Sequence, residues 1–322
     1  MITLYELHWS HYCEKIRWAL DYKKLTWKKV NINAFTKQEM KKFPCTQQRY
    51  LVPLIYDSNT KMSMGDSSPI LRYLEDAYPQ TPRLFSSDMG EKEVIYKLLI
   101  ELDSKLGVIA RRLGYTQIIL EKPTILSQLF LADIYRGFFN LPGIRRISAA
   151  FLGMVLIKRF GFELNEPLYL YEELEKYLLS ITQKLKGKKF LVNDNFSAAD
   201  ISLAVYLRPL IIVPYFREHS GLASLFEWQE NILREHKRET KLLYQVLIEK
   251  YRKHHFPIRR NIRNSLQEGF FNKIEEEIDK SKIAYNDHEP IWTWRLWKIP
   301  YYYFFKIKKN KLRQKDASET VR

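Results

Sequence analysis

The spacing of apolar residues changes near residue 80, and this change constrains the fold more than any other feature of the sequence. Before residue 80, short strand-like runs alternate with stretches of helical periodicity, in the predicted order β-α-β-α-β-β-α. The segment "PQTPRLF" (79–85) then interrupts the pattern twice with proline. Beyond it nearly every segment has helical periodicity. The chain therefore predicts a mixed α/β domain followed by an all-α domain.

We place the domain boundaries at these changes in pattern. Residues 1–80 are the predicted α/β domain, 81–90 a linker, 91–251 the helical domain and 252–322 a basic, aromatic-rich extension. In the first domain the helical spacing predicts helices over 36–43 and 66–78. In the second, the predicted helices are 91–120, 123–136, 144–160, 166–186, 198–216, 223–236 and 238–251.

Composition narrows the class of protein. Hydrophobic residues make up 46% of the 322, enough for a sizeable core. The longest notable apolar run, 147–157, has 11 residues, short of the ~20 that a bilayer-spanning helix needs. Two cysteines argue against a disulfide framework and favour a reducing compartment, so we expect a cytoplasmic protein.

The chain is strongly basic, with 53 Lys and Arg against 37 Asp and Glu and a net charge of +16. Residues 251–322 hold 17 basic and 9 acidic residues, which is half of the excess. Such a charge suits an anionic partner. However, the sequence has no zinc-finger spacing, RNA-recognition signature or Walker lysine. We therefore expect neither a nucleic-acid partner nor a metal.

The extension leaves two main interpretations open. Apolar residues recur every four positions from Ile262 to Ile278, as in an amphipathic helix, and residues 291–313 hold eight aromatic and seven basic residues with no acid. It either packs onto the body or lies at an anionic membrane surface, where aromatic rings sit at headgroup depth and basic residues meet phosphates. We favour the first.

The stretch "HWSHYC" (8–13) places a hydroxyl at the predicted turn between the first strand and the first helix. Ser10 stands at the helix N-terminus, where serine commonly caps the helix. The same position lets the hydroxyl donate to an anion, which the helix dipole favours. A thiolate is such an anion, because helix N-termini lower thiol pKa values. The residues alone leave both roles open.

Two further positions also allow either a structural or a ligand-binding role. Val52-Pro53 precedes the strand "LIYD", where proline suits an edge or a turn. If the peptide bond is cis, the backbone before it can pair with a peptide-like ligand. Asp66 and Ser67 open the helix predicted over 66–78, either as caps or as groups that hold a ligand bearing a carboxylate and an ammonium.

Together these residues resemble the ligand-binding constellation of the glutathione transferases. "LHWSHYCEKIRWAL" (7–20) looks like the Ser-x-x-Cys version of the first turn, in which serine replaces the first cysteine of a glutaredoxin. "VPLIYD" (52–57) looks like the cis-proline loop, and "MGDSSPILRYLEDAYP" (64–79) is similar to the γ-glutamyl-binding helix. The resemblance covers residues 2–85 and implies a thioredoxin-like N-terminal domain.

The helical part resembles the same family independently. Residues 168–210 and 222–235 are similar to its C-terminal helices, which implies an all-α glutathione-transferase C-terminal domain. From the residues themselves, Ser197-Ala-Ala-Asp200 predicts a capping box with Asp in the place of Glu, and Phe196 a hydrophobic staple.

The resemblance implies a role for each residue of the constellation. Ser10 would donate to the sulfur of glutathione and favour its thiolate. The main chain of Val52, before Pro53, would pair with the cysteinyl backbone, and Asp66 and Ser67 would hold the γ-glutamyl end. Glutathione is then the co-substrate, and a hydrophobic electrophile the second substrate, of a detoxification-type transferase, or of a glutathione-dependent reductase or isomerase.

Other implications concern the surroundings of that site. Cys13 would pack rather than react. Family members usually form homodimers, and Tyr78, Phe85 and residues 91–105 lie in the region of contact by resemblance. The electrophile would lie beside the first long helix, although an apolar stripe there is also typical of a core. The candidates are Leu106, Ile109, Arg112, Leu113 and Tyr115.

The segment "CTQQRYL" (45–51) departs from the family, which usually has a short glycine-containing loop before Val-Pro. Gln47, Gln48 and Arg49 are candidates for the glycyl carboxylate, and none is assigned. An alternative function is therefore a binding module that keeps the fold without efficient chemistry and associates with a membrane surface through its tail.

Overall fold

The computed structural model describes residues 1–43, 51–121, 124–127, 129–130, 142–161 and 168–239. The first part contains strands β1 (Ile2–Glu6), β2 (Trp27–Asn31), β3 (Leu54–Asp57) and β4 (Met62–Gly65), with helices α1 (His11–Tyr22) and α2 (Ser67–Ala77). The second contains α3 (Met89–Glu101), α4 (Val108–Glu121), α5 (Thr124–Ser127), α6 (Pro142–Phe160), α7 (Leu168–Leu185), α8 (Ala198–Leu207), α9 (Pro214–Arg217) and α10 (Ala223–Glu235).

The four strands form one mixed sheet in the order β2-β1-β3-β4. Strand β1 is parallel to β2, and the β1–β3 and β3–β4 pairs are antiparallel. Successive residues of a strand point to opposite faces. Accordingly, Ile2 and Leu4 join the main core with α1 and α2, whereas Tyr5 joins a smaller cluster with Met40. This sheet confirms the predicted thioredoxin-like domain.

Two predicted helices differ from those observed. The segment 36–43 contains a single 3₁₀ turn, Gln38–Met40, because Lys37 has a left-handed backbone (φ 46°) that an α-helix does not include. The helix predicted over 91–120 is divided into α3 and α4 by a π-helical turn, Leu102–Gly107. Such turns are frequent at functional sites.

Helix α8 lies at the centre of the helical domain, and every one of its residues is buried. It begins with the predicted capping box, in which Ser197 Oγ accepts from the Ala199 N–H at 3.3 Å and Asp200 accepts from the Ser197 N–H at 2.9 Å. The helix predicted over 198–216 ends early, at Leu207. The reason is local: Pro209 and Pro214 lack the N–H that a continuing helix requires, so a 3₁₀ turn and α9 follow.

One hydrophobic cluster extends from the sheet into the helical domain. Trp18 of α1 is 1% exposed, and its ring centroid lies 5.8 Å from that of Phe196, just before α8. After α10 the chain returns to α1. His236 stacks on Phe196 with centroids 4.0 Å apart, and Arg238 bonds to Asp21 at 2.5 Å. The two domains therefore share one core.

The helix predicted over 238–251 lies almost entirely outside the described residues, as do the apolar repeat of 262–278, the aromatic-basic segment 291–313 and most of the predicted helix 123–136. Among the helices of the described residues, none combines the length and hydropathy needed to cross a membrane.

Candidate functional site

Ser10 lies in the turn between β1 and α1, at the N-cap position of the helix. Its N–H donates to the Leu7 carbonyl and its carbonyl accepts from the Glu14 N–H, both at 2.9 Å. The Ser10 hydroxyl makes no capping hydrogen bond to the described first turn of α1, and the residue is only half-buried. Of the two roles that the sequence allowed, a side-chain cap is therefore not the one observed.

Cys13 lies one turn further along α1 and is fully buried. Burial raises the pKa of its thiol to about 12, and hydrogen bonds at the Leu7 backbone and from the Ser10 hydroxyl oppose this only in part. A thiol with such a pKa stays protonated and unreactive at neutral pH. Cys13 belongs to the core.

A backbone hydrogen bond joins the residue before β3 to the residue before α2. The Val52-Pro53 peptide bond is cis, and Pro53 is buried while Val52 is half-buried. The Asp66 N–H donates to the Pro53 carbonyl at 3.0 Å. The cis bond is the geometry that the ligand-binding interpretation of Val52-Pro53 required.

The first turn of α2 is open. Asp66 has the unusual backbone φ 74°, ψ 135°, is exposed, and forms no side-chain cap with the described first turn. Ser67 is buried, and its Oγ has no hydrogen-bond partner of ordinary geometry among the described residues. It lies near the Tyr206 hydroxyl, whose pKa is raised well above its usual value by burial and by Asp103, an effect that Ser67 opposes only weakly. A strained backbone such as that of Asp66 costs about 1–3 kcal/mol, and strain of this kind is concentrated at functional sites. The arrangement offers main-chain donors, a hydroxyl and a carboxylate together.

A buried polar network lies beneath this turn and was not predicted. Lys15 of α1 is 0% exposed, and its Nζ lies 2.9 Å from Ser68 Oγ, 3.0 Å from Asp103 Oδ1 and 3.2 Å from the Tyr206 hydroxyl. Ser68 and Tyr206 each donate in turn to Asp103, the latter at 2.6 Å. The one signal available in the sequence was a lysine beside Ile16 on the apolar face of α1.

The neighbouring His11 and Tyr12 do not titrate near neutral pH. Burial, aided by the positive charge of Arg111, lowers the pKa of His11 to about 3. Burial raises the pKa of Tyr12 to about 12. Neither group therefore supplies a proton acceptor or donor with a pKa near 7.

The residues proposed for the electrophile differ in burial. Leu106 and Leu113 are 0% and 1% exposed within the main cluster, so they are core residues. Ile109, Arg112 and Tyr115 are half-buried.

An aromatic group includes Trp9, the residue before Ser10. The Trp9 ring centroid is 4.8 Å from that of Phe130, which also lies 6.3 Å from Tyr115 and 6.2 Å from Phe35. Phe130 and Phe35 were missed because nothing local marks them. Gln47, Gln48 and Arg49 lie outside the described residues, and within the described part no group of three or more His, Cys, Asp or Glu side chains could hold a metal.

Two family models match the chain. Residues 4–82 match the glutathione S-transferase N-terminal domain, and residues 147–235 match the glutathione S-transferase C-terminal domain. No curated protein matches the chain.

Solved structures share the fold at low identity. A glutathione S-transferase of unclassified type from Bombyx mori is 18% identical, with a TM-score of 0.50 over 72% of this chain and 87% of its own. Glutathione transferase F2 from Populus trichocarpa is 16% identical, with a TM-score of 0.51 over 78% of this chain and 99% of its own. At such identities the likeness concerns the fold. The two family models, however, match the sheet and the second half of the helical part, together more than half of the chain, and the chain belongs to the glutathione S-transferase family.

Proposed function

We propose that this protein is a glutathione transferase that binds glutathione on its N-terminal domain and activates the thiol for attack on an electrophile. The observation that carries the proposal is the pair of open helix starts. The Ser10 hydroxyl lies next to the Cys13 thiol but caps no backbone N–H of the described first turn of α1, and Asp66 and Ser67 leave the described first turn of α2 uncapped, at the two points where the family's constellation would contact the ligand.

Ser10 is the proposed catalytic residue. Its O–H donates to the sulfur of glutathione, and the positive end of the α1 dipole adds to the stabilisation of negative charge there. The thiol loses its proton to solvent, and the thiolate then forms a carbon–sulfur bond with the electrophile, which either expels its leaving group as an anion or, in an addition, takes up a proton from solvent. Each unit by which the thiol pKa falls corresponds to about 1.4 kcal/mol of preference for the thiolate.

The γ-glutamyl end of glutathione is a zwitterion, and the start of α2 fits it. The N–H groups of Ser67 and Ser68 and the Ser67 hydroxyl would receive the α-carboxylate, and the exposed Asp66 carboxylate would receive the ammonium. The main chain of Val52, before cis Pro53, would pair with the cysteinyl backbone. A hydrophobic electrophile would contact the aromatic group of Trp9, Phe35, Tyr115 and Phe130.

We further propose that the protein is a cytoplasmic homodimer; the alternative is a protein whose tail contacts a membrane surface. Phe85 is 2% exposed and Tyr78 hydrogen bonds to Asp57, so both are engaged within the chain. The apolar surface available nearby lies on α3, where Met89 is 74% and Ile100 60% exposed. Sedimentation that shows only monomer at micromolar concentration would exclude the dimer.

Calorimetric titration of the full chain with glutathione and with ophthalmic acid tests the function. Ophthalmic acid has a methyl group in place of the thiol. A thiolate held by Ser10 should make glutathione bind more tightly than ophthalmic acid, increasingly so as pH rises towards the thiol pKa. Equal affinities at every pH would favour the binding module without thiol activation, and no binding of either ligand would overturn the proposal.

A further inference from the structure

Lys15 stands where three elements meet. Helix α1 carries it, the first turn of α2 supplies Ser68, and the helical domain supplies Asp103 and Tyr206. Its three hydrogen bonds use all three ammonium protons. Because Ser68 and Tyr206 also donate to Asp103, the network is closed. Any displacement of one member would leave a buried charge or polar group unpaired, which is costly.

The network fixes the side chain of Ser68, which is next to the proposed glutathione-binding residues Asp66 and Ser67. Ser68 directly follows Ser67 and lies two positions after Asp66. Asp66 has a strained backbone and no side-chain cap with the described first turn of α2. Its position therefore depends on the hydrogen bond from its N–H to Pro53 and on the helical turn that follows. The Lys15 ammonium is also close enough to Asp66 for their charges to interact.

We propose that Lys15 is a positioning residue for the γ-glutamyl subsite, acting through Ser68 and Asp103 to hold the first turn of α2 against the helical domain. The inference rests on the proposed function, because it concerns affinity for glutathione. It assigns part of that affinity to Asp103 and Tyr206, which belong to the other domain.

Lys23 provides a matched control at the opposite end of the same pair of helices. It is also 0% exposed, and its Nζ lies 2.9 Å from Glu75 Oε2 and 3.2 Å from the Pro82 carbonyl oxygen. Glu75 lies in the second half of α2, away from Asp66. Lys15→Met and Lys23→Met therefore each remove a buried ammonium from an ion pair, but only Lys15→Met does so at the open helix start.

The experiment is calorimetric titration of the full chain with glutathione, together with thermal melting. Both variants should have a lower Tm, because each leaves a carboxylate without its buried partner. We expect Lys15→Met to raise the Kd for glutathione about tenfold, equivalent to ~1.4 kcal/mol, and Lys23→Met to leave it within about twofold. γ-Glutamylcysteine, which lacks the glycyl residue, should show the same fold loss with Lys15→Met. In turnover, the KM for glutathione should rise while kcat and the pH–rate profile stay unchanged.

Ser68→Ala keeps the test decisive if Lys15→Met fails to fold. It removes the hydroxyl that joins α2 to the network but keeps the Lys15–Asp103 ion pair, so it should raise the Kd about fivefold with a smaller fall in Tm than Lys15→Met, whereas Ser68→Thr should restore affinity. Wild-type Kd values for Lys15→Met and Ser68→Ala would overturn the inference and leave the proposed function standing. An equal loss of affinity in Lys23→Met would also overturn it. A wild-type protein that does not bind glutathione would overturn the proposed function, and the inference with it.

Discussion

Helices α1 and α8 each have a serine at the N-cap position, and their two starts are built in opposite ways. At α8, Ser197 and Asp200 are 3% and 0% exposed and satisfy one another and the first N–H groups. At α1, Ser10 is half-buried, and its hydroxyl forms no cap with the described first turn. Helix α2 repeats the open arrangement at Asp66. A closed start stabilises the fold, whereas an open one keeps its donors available to a ligand.

Of the changes at these helix starts, Asp200→Ala should have the largest effect on stability. The Asp200 carboxylate accepts from the Leu191 N–H at 2.8 Å and from the Ser197 N–H at 2.9 Å, so the variant leaves buried donors unpaired. We expect a loss of about 3 kcal/mol in the free energy of unfolding, seen as a Tm lower by roughly 6–12 °C. Asp200→Asn keeps one acceptor and should lose about half as much. An unchanged Tm would show that the closed start is not needed for stability.

Ser10→Ala and Ser197→Ala make the same change at the two starts. Ser10→Ala should lower kcat/KM with glutathione by about 10- to 100-fold, raise the kinetic pKa of the bound thiol and leave the Tm within about 1 °C. Ser197→Ala should leave the kinetics alone and cost about 1 kcal/mol of stability. An unaltered pH–rate profile in Ser10→Ala would remove the proposed catalytic role.

Asp66→Gly sharpens the contrast at α2. Glycine adopts φ 74° readily, so the variant should gain up to about 1 kcal/mol of stability. It should also raise the Kd for glutathione about fivefold, because the ammonium loses its carboxylate partner. Asp66→Asn is the control: it should weaken binding without the gain in Tm. If glutathione binding survived both changes, the γ-glutamyl assignment would fail.

The smallest effect concerns His236, which stacks on Phe196 at the entrance to α8. Partial burial lowers its pKa below 6.5, with Lys189 and Arg238 acting in the same direction and Glu235 against it. As pH falls below 6.5 the unfolded chain therefore takes up a proton before the folded one does, and stability contributed by neutral His236 is lost. His236→Phe keeps the stacking, so its Tm should fall slightly less between pH 7.5 and pH 5 than that of the wild type. Parallel Tm curves would contradict this.

The predictable parts of the fold and site were those encoded locally. The capping box spans four residues, and the four strands of the sheet follow from short apolar segments separated by turns. The network of Lys15, Asp103 and Tyr206 was not predictable, because it joins residues up to 191 positions apart. The π-helical turn was missed for the same reason: a Cβ at Gly107 would lie 3.1 Å from the Tyr206 ring, a constraint that only the packed structure reveals.

The contacts between α1 and the end of the helical domain also have a consequence for synthesis of the chain. Lys15 donates a hydrogen bond to Tyr206, 191 positions later, and Arg238 donates one to Asp21, 217 positions earlier. At roughly 5–20 residues per second, the ribosome needs on the order of 10–40 s to add the later partners. During that interval Trp18 and the Lys15 ammonium lack the groups that bury them. The N-terminal domain emerges first but reaches its final packing only when translation of the helical domain is complete.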